Sequence, residues 1–182
     1  MKLARMAALV GSAAVWVGGC VGTRTVPEVD ASKLRLPVIG WLEPKQVRLE
    51  VVDERFVPAE DKLKSIDNVR AAIAAALSRV GIAVSANAVN ELSLRFEEGD
   101  RPIGEFATNE CVLVKAALRA SAGRQMQVSG FGCAHDRNLY GYSLRGDTTT
   151  AFETAINMVF GEIVRLSTHT APPAITSGGH PS

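Results

Sequence analysis

Hydrophobic and polar positions fall into two periods along this chain. In QVRLEVVD, Val47, Leu49 and Val51 alternate with Arg48 and Glu50, the period of a strand with one buried face. NELSLRFEE repeats it, with Leu92, Leu94 and Phe96 on one side and Ser93, Arg95 and Glu97 on the other. Between them, SIDNVRAAIAAALSRVG follows the helical period, and Ile66, Val69, Ile73, Leu77 and Val80 form one stripe. Ser65 is the expected N-cap, with Asp67 in the first turn. Arg79 closes the last turn, and Gly81 suits a left-handed cap. ERFVPAEDKLK, polar and carrying Pro58, reads as a loop before this helix, and GDRPIGEFATN as a loop after the second strand.

ECVLVKAALRA and RQMQVSGFGC read as a hairpin around SAG, with Gly123 at the left-handed position of a three-residue loop. Centring the turn on Ala122 makes paired residue numbers sum to 244, so Cys111 faces Cys133. Val112, Val114, Ala116 and Leu118 then share a face with Met126 and Val128, while Lys115, Arg119, Gln125 and Gln127 lie opposite. Opposed cysteines have the close Cβ atoms that a disulfide needs; the rival is two free buried thiols. A bulge at Gly130 or Gly132 would shift the register; without one, these glycines let a helix approach the sheet.

AHDRNLYGYSLRGD reads as a loop or irregular edge strand. TTTAFETAINMVFGEIVRLS is a second amphipathic helix, with Thr150 and Glu153 as a capping box and Phe152, Ile156, Val159, Ile163 and Leu166 as its stripe. The expected class is α+β: a two-layer sandwich whose mostly antiparallel sheet of about four strands carries both helices on one face.

The front of the chain is unlike the rest. Lys2 and Arg5 precede an apolar run from Met6 to Val17, with the length of a secretory signal and too short to span a bilayer. It closes on VGGC, which resembles the bacterial lipobox. That resemblance implies cleavage before Cys20 and acylation of its thiol, anchoring the protein in a membrane. Val21, rather than Asp, directs it by the enteric sorting pattern to the outer membrane, facing the periplasm. The expected organisation is a signal peptide over 1–19 and, over 20–45, the lipidated Cys20 and a flexible tether. The α+β domain follows over 46–167 and a disordered tail over 168–182. A tether of this length spans about 25–30 Å root-mean-square and lifts the domain clear of the headgroups. LRLPVIGW within it suggests a short strand, and Trp41 is expected to pack on the domain.

Charge narrows the partners. The whole chain has 20 basic and 19 acidic residues, and loss of Lys2 and Arg5 leaves a mature chain near neutrality. That gives no electrostatic case for nucleic acid. Of three cysteines, lipidation of Cys20 leaves Cys111 and Cys133 to pair in an oxidising compartment.

No catalytic residues, metal ligands or cofactor site are expected. No nucleophile elbow is present, and VSGFG sits at a strand end. His169 and His180 fall in the tail. Cys133 and His135 are a metal fragment without further ligands. Glu97/Glu98 and Asp53/Glu54 are adjacent strand residues pointing to opposite faces. GDRPIG and RGDTTT lack the phosphate-loop lysine. RGD at Arg145 to Asp147 is a common tripeptide, and Asp147 is better used to start the helix.

VRLEVVDERF, with its Asp53-x-Arg55 step at a strand end, is similar to the first strand of YajG-like lipoproteins. AAALSRVGIAV resembles the helix of that family, which closes on glycine and a short apolar run. The hairpin and final helix agree in order, so the resemblance covers roughly residues 46–167. It implies a bacterial outer-membrane lipoprotein of undefined role and supplies no catalytic residues. The leading expectation is a non-catalytic binding or assembly module with an envelope protein partner. The alternative is a carrier of an apolar or lipid ligand, held between sheet and helices. A small enzyme using His135 and Asp136 is the third reading.

Overall fold

A computed structural model describes residues 26–99, 109–135, 137–139, 142–144 and 148–169. The elements run β1 (Gln46–Asp53), α1 (Ala59–Arg79), β2 (Ala83–Val84), β3 (Glu91–Glu98), β4 (Asn109–Arg119), β5 (Gln125–His135), β6 (Arg137–Leu139), β7 (Tyr142–Leu144) and α2 (Thr148–His169). Five strands form one sheet in the order β2-β1-β3-β4-β5, and β6 and β7 pair in a separate two-stranded sheet. This is an α+β sandwich with one strand more than the sequence suggests. The extra strand is β2, two exposed residues that pair parallel with the start of β1. β1 and β3 are also parallel, joined across α1. The two long ladders, β3–β4 with eight residue pairs and β4–β5 with eleven, are antiparallel.

The hairpin register is the one that the turn chemistry predicts. Gly123 adopts φ 80°, and Cys111 faces Cys133, Val112 faces Gly132, and Arg119 faces Gln125, with no bulge. Leu92, Leu94 and Phe96 of β3 continue the oily face of Val112, Val114, Ala116 and Leu118, and all are buried.

α1 starts earlier than its apolar stripe. Pro58 stands at the N-cap with φ −53°, and Glu60 and Asp61 occupy the first turn, where carboxylates favour a helix start. Ser65 therefore caps nothing. It lies buried in the second turn, its hydroxyl donating to the Asp61 carbonyl at 2.7 Å. At the other end Gly81 adopts φ 79°. Its amide donates to the Ser78 carbonyl and the Ile82 amide to the Leu77 carbonyl, a Schellman closure with Leu77 and Ile82 both buried.

α2 differs at both ends. It begins at Thr148, so Thr150 lies inside it, and it runs to His169, past the expected start of the tail. Glu153 closes no capping box. It is buried, and its carboxylate accepts from the Asp30 amide at 3.0 Å. Phe152, Ile156, Val159 and Ile163 are buried, as are Ala151, Ala155 and Phe160. The burial is wider than one stripe because α2 is covered on two sides.

One cover is the sheet. A Cβ built on Gly132 would stand 2.1 Å from the Ala151 carbonyl oxygen, and one on Gly130 would stand 2.3 Å from that of Ala155. Any side chain at either position would lift α2 off β5.

The other cover is a strap of chain ahead of β1. Leu34, Leu36, Ile39 and Leu42 are buried in the core. These residues lie within the stretch expected to be a flexible tether, and they form no strand; LRLPVIGW is irregular. The strap follows the seam between the helices. Glu28 and Arg35 donate their amides to Thr149 Oγ1 and Asn157 Oδ1, at 2.9 and 2.6 Å. On the α1 side, Asn68 donates to the Pro27 carbonyl at 3.2 Å, and Arg79 donates to the carbonyls of Ala31 and Leu34. Strap numbers rise with helix numbers on both sides, so strap, α1 and α2 all run in one direction. Asp30 caps a short 3-10 turn over Ala31–Lys33. Hydrogen bonding from the Ser32 side chain, and then from its amide, holds the Asp30 carboxyl below its ordinary value.

Trp41 packs against the core, with the Arg124 guanidinium 4.7 Å from its ring centroid. Its buried Nε1 has no hydrogen-bond partner among the described residues.

Candidate functional site

Sequence reasoning singles out Cys20, Cys111, Cys133 and His135. Cys20 lies outside the described residues, as do Asp136, Arg145 to Asp147 and His180. Cys111 and Cys133 are joined by a disulfide, Cα atoms 4.1 Å apart. The Gly99 amide donates to the Cys111 carbonyl, so Cys111 turns its backbone groups toward β3 and away from β5. The pair is thus of the non-hydrogen-bonded kind, where opposed side chains come closest. His135 is the last residue of β5, opposite Asn109. Among the described residues, no group of three or more His, Cys, Asp or Glu could hold a metal ion. No described helix is long and apolar enough to cross a membrane.

The most polar buried cluster is one whose role the sequence does not disclose. Asp53 and Arg55 are both buried. Arg55 Nε donates to Asp53 Oδ1 at 2.9 Å and Nη2 donates to Oδ2 at 2.7 Å, the two-pronged geometry that guanidinium and carboxylate favour. Arg55 Nη2 also donates to Ser65 Oγ at 3.1 Å. The guanidinium carbon stands 4.5 Å from the Phe152 ring centroid, and Phe152 stacks on Phe96 at 4.8 Å. The Asp-x-Arg step therefore bolts the end of β1 to α1, α2 and β3. The guanidinium takes up both oxygens of the Asp53 carboxylate and reaches Ser65, so the cluster is a structural joint between elements.

The open face of the sheet has a different chemistry. Small Ser93, Ala117 and Ser129 make a floor, and longer Arg95, Lys115 and Arg119 stand around it, in a recess of about 580 Å³. Arg95 sits directly opposite Lys115, an arrangement of like charges that costs stability unless each finds a carboxylate. Each does: Lys115 Nζ lies 2.7 Å from Glu97, and Arg95 lies 3.0 Å from Glu54. Arg119 lies 3.7 Å from Glu91, which Arg48 also pairs at 3.0 Å. On this face four cations share three carboxylates, and exposed ion pairs of this kind are each worth little.

The edge beside that face is more distinctive. β5 is eleven residues long and closes one side of the sheet, whereas β2, on the other side, has two. Ala120 and Arg124 hydrogen-bond across the hairpin, and the Cys111 carbonyl turns away from it. By strict alternation, the backbone groups of Gln127, Ser129, Phe131 and Cys133 point away from β4. Among the described residues no strand takes them up.

The space an apolar ligand would need between the layers holds the chain's own side chains. Phe96, Phe152, Phe160 and Ile156 are almost wholly buried there, and the strap closes the helical seam above them.

No family model matches the chain, and no curated protein matches it. Solved structures do. XCC0632 from Xanthomonas campestris, of family DUF330, is 15% identical over 76% of this chain and 89% of its own, with a TM-score of 0.46. A minor lipoprotein from Acinetobacter baumannii is 15% identical over 71% of this chain and 98% of its own, with a TM-score of 0.40. Lipoprotein GNA1162 from Neisseria meningitidis is 15% identical over 70% of this chain and 100% of its own, with a TM-score of 0.38. No residue role is carried over from them.

Proposed function

We propose that this protein is a lipid-anchored, non-catalytic binding module of a bacterial envelope, held through Cys20 and facing the periplasm from the outer membrane. One observation carries the binding part of the reading: among the described residues no strand pairs with the outer edge of β5, which is eleven residues long, while the opposite edge strand has two. Open edges of this kind are usually blunted, because they template pairing with another chain. A partner that adds a strand to β5 gains main-chain hydrogen bonds at every second residue. The signal-like N-terminus and the lipobox resemblance at Cys20 support the anchor.

Palmitate labelling in the producing cells tests the anchor: the wild type takes up label and Cys20→Ser does not. A photo-crosslinking residue placed at Ser129 in intact cells tests the edge. It yields a discrete adduct with an envelope protein, and the same probe at Glu50, on the far side of the open face, does not. Proline at a neighbouring outward position, Gln127→Pro, removes one edge donor while sparing the β4 ladder, and it abolishes the adduct. An adduct indifferent to that proline, or none at all from Ser129, removes the edge from the reading.

A further inference from the structure

We propose that the end of the sandwich where the helices start docks onto the lipid bilayer that holds the acyl chain, with Phe56 and Leu63 entering the interfacial layer. The inference rests on the anchor at Cys20 and adds a second contact with the same membrane. Phe56 is 97% exposed and Leu63 65% exposed, though both are large and apolar. They belong to one end of the molecule. Arg55, next to Phe56, touches Ser65 of α1 and Phe152 of α2, so this corner meets the second turns of both helices, close to their starts.

The strap says which way that end points. It runs with the helices, so followed backward from Arg35 to Pro27 it travels toward their starts. Pro27 is held at the level of Asn68, nine residues along α1 from Ala59, or about 13 Å from the start of the helix. Pro27 lies only seven positions on from Cys20, and seven residue steps reach at most about 25 Å. More than half of that length is consumed in drawing level with the helix starts. With the lipid on the side to which the strap leads, at most about 12 Å of that reach is left beyond the helix starts, a gap that side chains and headgroups close. The charges nearby, Glu60 and Asp61 against Lys62 and Lys64, cancel in number, and Glu54 is paired with Arg95. The contact is therefore apolar and indifferent to lipid charge, unlike a basic patch.

The test uses the full chain, processed and acylated in its producing cell and reconstituted into phosphatidylcholine vesicles. Part of the lipid carries bromine on its acyl chains, which quenches tryptophan at the interface. Phe56→Trp supplies one reporter. Val89→Trp, 65% exposed at the opposite end of the sandwich, supplies the control, and the wild type gives the background from Trp41. Leu63→Trp is a second reporter should Phe56→Trp misfold. Brominated lipid is expected to extinguish much of the added emission of Phe56→Trp and none of that of Val89→Trp. The same result is expected when phosphatidylglycerol replaces part of the phosphatidylcholine. Protein that floats with the vesicles while all reporters emit unchanged overturns the docking and leaves the anchor standing. Protein that takes no palmitate and fails to float overturns the anchor, and the docking with it.

Discussion

Two glycines set the distance between the layers. Gly130 and Gly132 lie two apart on β5, on the face toward α2, where backbone atoms of Ala151 and Ala155 already occupy the space of a side chain. Either Gly→Ala substitution forces a shift of helix against sheet. It should cost about 1–3 kcal/mol or more, as overpacking does, read as a lowered midpoint in chemical denaturation. Gly123→Ala meets no neighbour, but φ 80° strains it, so its cost is local to the turn. Asp53 behaves differently. Asp53→Ala leaves the Arg55 guanidinium buried without its carboxylate, and such orphaned charges cost about 3–5 kcal/mol. The double variant Asp53→Ala/Arg55→Leu should recover much of the loss, and a denaturation series on the two proteins decides it. The glycine spacing was legible in the sequence, because a G-x-G in an alternating strand has few other uses. The Asp-x-Arg step was visible as a pattern, but its meaning was not. Its partners, Ser65 and Phe152, lie on elements whose meeting no local pattern announces.

At the level of elements, strand register is legible in the pattern of residues and helix starts are not. A strand's register follows from one turn, and Gly123 fixed eleven pairs from Asn109 to Arg119 without tertiary information. Helix starts follow from competition. Ser65 and Thr150 are good caps in isolation, yet each is overruled. The turn from Pro58 to Asp61 nucleates α1 earlier, and Arg55 takes up the Ser65 hydroxyl. Strap amides take Thr149 and Glu153. These interactions span 121 and 123 residues, beyond the reach of any local rule. The hairpin's crosslink carries its own prediction. It closes a loop of sequence separation 22, for which chain entropy gives a stabilisation of about 3 kcal/mol. Cys111→Ala/Cys133→Ala should lose about that amount in equilibrium unfolding, and a reductant should have no further effect on the variant.

The whole molecule is larger than its periodic segments suggest. Pattern reading begins the domain at residue 46, but the core begins with Leu34. Four apolar residues spaced irregularly among prolines have no period to detect, so only packing reveals them. Leu42→Ala removes a fully buried side chain and should destabilise by about 2–5 kcal/mol, whereas Val38→Ala, at 65% exposure, should be near neutral in the same assay. The two-layer plan was legible because every stripe needed a face to cover. The third layer of backbone over the helical seam was not.

The seam also imposes an order of events. The strap comes near the front of the chain, and the hydroxyl, carboxylate and amide that hold it belong to the last helix. A polypeptide threaded through a translocation pore from its leading end therefore delivers the strap first and its docking groove last. Throughout that interval the strap lacks its α2 partners Thr149, Glu153 and Asn157. On the proposed anchoring through Cys20, an open strap at that stage would leave the front of the chain accessible to enzymes that acylate and trim it, with burial following when α2 arrives.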